Sequence, residues 1–153
     1  MTVSEMSPRV RFTVFVTLVA SLVSCAGDPL PGTWTASTTT GTITLATTLV
    51  LSADGTVRVT DAGRGACAGT RTYTGLTWSS SPTVLAFAGV AACTGAVTCV
   101  VGTMNSVVGC PASPSAAMTS ACGYALSADG NTLTLSNCSG SAGTSTAYVR
   151  AAN

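Results

Sequence analysis

Two stretches decide how this chain folds: Leu49-Val50-Leu51-Ser52-Ala53-Asp54-Gly55-Thr56-Val57-Arg58-Val59 and Tyr124-Ala125-Leu126-Ser127-Ala128-Asp129-Gly130-Asn131-Thr132-Leu133-Thr134-Leu135. Both contain Leu-Ser-Ala-Asp-Gly, flanked on each side by apolar residues at alternate positions. Alternation puts successive side chains on opposite faces of a strand. Asp-Gly supplies the left-handed backbone of a tight turn, because Gly has no Cβ to clash. Asp54, Gly55, Asp129 and Gly130 are therefore read as hairpin-turn residues. A three-residue loop with a bulge lets Leu49 and Leu51 face Val57 and Val59. One more turn residue lets Tyr124 and Leu126 face Leu135 and Leu133. Calcium binding is the competing reading of the two aspartates, but neither has neighbouring carboxylates to complete a shell.

The same texture extends outward from the hairpins. Thr and Val recur at alternate positions between Gly-containing breaks, and helix formers are scarce. Strands are expected over residues 32–38, 42–52, 56–61, 69–78, 83–92, 97–103, 120–127, 132–137 and 145–151. The segment 104–119, which holds Pro111 and Pro114, reads as a loop with one helical turn at 115–118. Asp61 is expected beside a second loop, Ala62-Gly63-Arg64-Gly65. The expected fold is all-β: a small antiparallel β-barrel or sandwich of about eight strands.

The chain of 153 residues has seven cysteines, no histidine and 7% charged residues, against about 25% in an ordinary domain. Arg9 and Arg11 precede a twelve-residue apolar run, residues 12–23. A spanning helix needs about 20 such residues, so this run reads as a secretory signal, with Met6 an alternative start. The run ends in Leu22-Val23-Ser24-Cys25, which resembles the lipobox of bacterial lipoproteins. That resemblance implies a diacylglyceryl group on the Cys25 thiol, cleavage before it and acylation of the new amine. It divides the chain into a signal peptide (1–24), a lipidated tether (25–31) and one β domain (32–153). The expected location is the cell envelope, with the protein held in the membrane by its N-terminal lipid on the extracytoplasmic side. Ala26 after the Cys favours an outer membrane where the cell has two.

Setting Cys25 aside leaves Cys67, Cys93, Cys99, Cys110, Cys122 and Cys138, an even number in an exported chain, which implies three disulfides. Zinc is disfavoured by the lack of histidine and of any CxxC spacing. A hairpin over Thr94-Gly95-Ala96-Val97-Thr98 would bring Cys93 opposite Cys99. Cys122 and Cys138 bracket the second Asp-Gly hairpin but fall one residue out of step, so connectivity stays open among fifteen pairings.

Gly32-Thr33-Trp34, just after the tether, resembles the Gly-x-Trp element of lipocalins and related calycin barrels, and Tyr148-Val149-Arg150 resembles their last strand. The hairpins are also similar to those of META-type bacterial lipoprotein domains. The resemblance implies that Trp34 closes the barrel floor with Arg150 stacked on its ring, and that Gly32 opens the first strand. Without it, Trp34 is a core aromatic and Arg150 an exposed strand-end charge. Tyr73 and Trp78 read as core packing on a strand, with sugar stacking the alternative.

The chain after residue 24 keeps four Arg and four Asp and has no Lys, Glu or His. No basic footprint for nucleic acid survives that balance. It also lacks the usual bases and nucleophiles, so neither catalysis nor a cofactor or metal is expected. A structural or protein-interaction role, with another envelope protein as partner, is narrowly preferred because a small barrel fills itself with side chains. The alternative is binding of a small apolar or lipidic ligand, and a hollow interior would favour it.

Overall fold

The computed structural model describes residues 29–101, 104–110, 117–138 and 143–152. Residues 1–28, which hold the expected signal segment and Cys25, lie outside the described residues. Nine strands follow in order: β1 (Gly32–Thr40), β2 (Ile43–Leu51), β3 (Thr56–Gly65), β4 (Cys67–Ser80), β5 (Val84–Val101), β6 (Met104–Gly109), β7 (Ala117–Leu126), β8 (Thr132–Ser136) and β9 (Ser145–Arg150). All pairings are antiparallel. Strands β1 to β5 pair in sequence, β5 continues to β7, then β8 and β9, and β9 closes on β1 through Trp34–Arg150 and Thr35–Val149. The result is a closed eight-stranded barrel. Strand β6 stands outside the ring, paired with the far half of β5.

Both Asp-Gly hairpins form. Leu49 lies opposite Val59 and Leu51 opposite Val57, while Tyr124 faces Leu135 and Leu126 faces Leu133. Gly55 and Gly130 have φ of 82° and 70°, the backbone these turns require. Each aspartate folds back on its own turn. Asp54 Oδ1 accepts from the Thr56 amide at 2.9 Å and hydroxyl at 2.7 Å. Asp129 Oδ1 accepts from the Ser127 hydroxyl at 2.5 Å and the Asn131 amide at 3.1 Å.

Three expectations need correction. Residues 84–101 are one continuous strand, so no hairpin separates Cys93 from Cys99. Gly95, read as its turn, instead has φ of 83° within β5, and a Cβ there would collide with the Thr70 carbonyl on β4. The disulfides are Cys67–Cys99, Cys93–Cys110 and Cys122–Cys138. Second, segment 104–119 is not simply a loop. Met104–Gly109 is a strand, and β7 begins at Ala117, so residues 117 and 118 are extended rather than helical; 111–116 lie outside the described residues. Third, Ala62 to Gly65 continue β3 rather than forming a loop, which sets Asp61 within a strand.

The core is layered along the barrel axis. At the floor, Leu30, Trp34, Leu51, Leu85 and Leu133 are each 1% exposed or less. The Trp34 indole donates to the Leu30 carbonyl at 2.9 Å. A small second cluster, Cys67, Val97 and Cys99 with Ile43 and Leu45, lies toward the opposite end, where β2 to β5 run past the ring.

Candidate functional site

Above the floor the barrel is hollow. A cavity of about 220 Å³ is lined by Leu49, Val59, Leu76, Phe87, Met118, Ser120, Cys122, Leu135, Cys138 and Tyr148. These residues come from seven of the eight ring strands and from the Cys138 segment after β8, so the space is the barrel lumen itself. The alternation that built the strands also built the lining: every second side chain points inward. Its wall is apolar, and two aromatics, Phe87 and Tyr148, reach in. The Cys122–Cys138 disulfide forms part of the wall and joins β7 to the chain after β8.

Two hydroxyls interrupt the apolar surface, those of Ser120 and Tyr148. Burial pushes the Tyr148 phenol above its usual range, and the carboxylate of Asp61 adds to the shift. The phenol therefore stays protonated and available as a donor.

Asp61 lies two residues beyond Val59 on the same face of β3. It is opposite Thr47 on one side and Arg71 on the other. The Arg71 guanidinium binds its carboxylate at 2.7 Å, and Thr47 donates to the other oxygen at 2.9 Å. Arg71 also lies over the Tyr73 ring, 5.1 Å from its centroid, and donates to the Gly109 carbonyl at 3.3 Å, tying the ring to β6. Its Nε is buried without a hydrogen-bond partner among the described residues. Also among the described residues, no three His, Cys, Asp or Glu side chains gather where a metal could sit.

The opposite end is shut. The Arg150 guanidinium stacks on Trp34, 4.1 Å from the ring centroid. Its Nε donates to the Gly130 carbonyl at 3.0 Å and Nη1 to that of Pro31 at 3.0 Å, while Nη2 donates to Pro29. The guanidinium passes so close to Gly32 that a Cβ there would collide with Nη1. One arginine thus joins the segment before β1, the first strand, the last strand and the second hairpin.

Set against protein-family models, curated proteins and solved structures, the chain matches none.

The residues singled out from sequence fall into separate groups. Gly32, Trp34 and Arg150 meet at the floor. Asp54, Gly55, Asp129 and Gly130 occupy the two turns, and the six cysteines form the three bridges. Cys25 lies outside the described residues. Tyr73 and Trp78 both pack against the main core, and the Trp78 indole donates to the Ser52 carbonyl at 2.9 Å. Sequence reasoning does not single out Ser120 or Tyr148 as lining. The signal for Tyr148 is present all the same, since it lies two positions before Arg150 and so shares its inward face.

Proposed function

We propose that this is an exported, lipid-anchored protein whose barrel takes up a small apolar ligand from the aqueous side of the membrane. The observation that carries the reading is the lumen of about 220 Å³ with its apolar wall. A dry apolar cavity of about 150 Å³ already binds benzene, whereas drug-sized ligands occupy about 300–1,000 Å³. The ligand is therefore a single small molecule. Orientation supports the aqueous route. The tether enters beside Trp34 at the floor, while Met118, 45% exposed, stands on the lining eight residues up β7 from the floor-level Leu126. The closed end faces the anchor and the open end faces away.

Native mass spectrometry tests both halves of the reading. The expected mass begins at an acylated Cys25, lacks two hydrogens for each of three disulfides, and gains a small apolar molecule when one is supplied. A mature chain beginning at Met1 with a free Cys25 thiol would overturn the anchor. Failure to retain any small arene or alkane would overturn the ligand.

A second reading, interaction with another envelope protein, has its own support in β6. Among the described residues no strand pairs with its outer edge, and Val107 and Val108 are 63% and 38% exposed. Unprotected apolar edges are templates for another strand.

A further inference from the structure

The lumen carries a clue to the polarity of its occupant. Its wall is apolar except at Ser120 and Tyr148, and among the described residues neither hydroxyl has a hydrogen-bond partner. Neither oxygen is sealed from solvent, so both donors are open to whatever occupies the lumen, and an occupant without an acceptor would strip them of water without replacing its hydrogen bonds. They sit on β7 and β9, with only β8 between them, and border one cavity small enough for a single compact molecule to reach both. We propose that the lumen is built for a small apolar molecule bearing one neutral carbonyl oxygen, which accepts hydrogen bonds from Tyr148 and Ser120.

This inference rests on the ligand-binding reading above and specifies its chemistry. A carbonyl oxygen has two lone pairs and matches two donors. The charge around the phenol argues against an anionic head. Asp61 is the charged group that acts on Tyr148, and the Arg71 charge is already engaged by that carboxylate at 2.7 Å. A second carboxylate in the lumen would meet an acid with no free cation among the lining residues. A neutral acceptor meets no such repulsion, and hydrocarbon of the same shape leaves both hydroxyls unpaired.

The test compares acetophenone with α-methylstyrene, its hydrocarbon isostere, by calorimetric titration of the full chain with its disulfides intact. Tyr148→Phe is expected to weaken acetophenone roughly five- to tenfold, the worth of one hydrogen bond, and to leave α-methylstyrene within about twofold. Ser120→Ala is expected to act in the same direction. Neither change breaks a hydrogen bond of the folded chain, and an unaltered circular dichroism spectrum checks that. Equal losses for both probes, or no loss for acetophenone, would overturn the carbonyl assignment while leaving the ligand reading intact. Binding of neither probe by the unmodified protein would overturn both. Tighter binding of benzoate than of acetophenone would replace the neutral head with an anionic one and so also defeat the proposal.

Discussion

The two ends of this barrel are held by different physics. At the floor, Leu30, Trp34, Leu51, Leu85 and Leu133 exclude water almost completely, and Arg150 closes the seam over them. At the far end, β2 to β5 run beyond the ring, and the cluster there buries just Cys67, Val97 and Cys99 among the described residues. There, two of the three disulfides and the Asp61–Arg71 pair replace the missing apolar area. Covalent and polar ties stand where large side chains run out. The lumen lies between, floored by the apolar end and open on the side of the polar one.

Breaking the floor should cost most. Trp34→Ala removes a fully buried aromatic and is expected to lose about 3–5 kcal/mol, read from urea unfolding with disulfides intact. A loss below about 1 kcal/mol would mean that Arg150 and its bonds to Pro29 and Pro31, not burial, carry that end. Opening the far end should cost less and act locally. Replacing Cys93 and Cys110 with Ser frees a 17-residue separation, worth on the order of 3 kcal/mol in the chain-entropy picture. Hydrogen exchange should speed up in β6 while the β1–β9 seam keeps its protection. Uniform loss of protection would show the two ends to be one cooperative unit.

Asp61→Ala comes next, expected to cost about 1–2 kcal/mol by leaving Arg71 without its carboxylate in a mostly buried place. Lys in place of Arg71 should rescue little, since one ammonium cannot reach both Asp61 and the Gly109 carbonyl. The smallest effect is that of pH on the hairpins. The Thr56 hydroxyl and amide hold Asp54 below the usual carboxylate range, and the Ser127 hydroxyl with the Asn131 amide does the same for Asp129. A depressed folded pKa stabilises the fold above the ordinary carboxylate value and loses that support as pH falls through the depressed one. Thermal unfolding should therefore shift slightly downward only below about pH 4. The Asp54→Asn, Asp129→Asn double variant should flatten that slope, and an unchanged slope would assign it to other groups.

Local and long-range forces also divide what the amino-acid sequence makes legible from what it hides. The hairpins are legible with their register because Asp-Gly and the flanking alternation act within about a dozen residues. Closure is legible only as a choice between barrel and sandwich, since the β9–β1 pairing joins residues far apart in the chain. Gly95 reads as a turn and is not one, because a positive φ serves a turn and a close strand approach equally well. Only the Thr70 carbonyl, a contact across strands, distinguishes them. The disulfide partners are hidden for the same reason: Cys67 meets Cys99 through the register of two long strands. The lumen itself is a volume left over after packing, and no local pattern encodes it.

The arginine at the floor has one more consequence, a mechanical one. Were the domain held by its N-terminus, as proposed above, drag from its surroundings would act as tension at Pro29 and Pro31. Arg150 grips both of those carbonyls and the Trp34 ring, so tension spreads from the first strand to the last. From there β1 resists along nine registered pairs with β2. Such a load shears these pairs together rather than unzipping them singly. Under such a pull the barrel would tighten on the strands least able to slip.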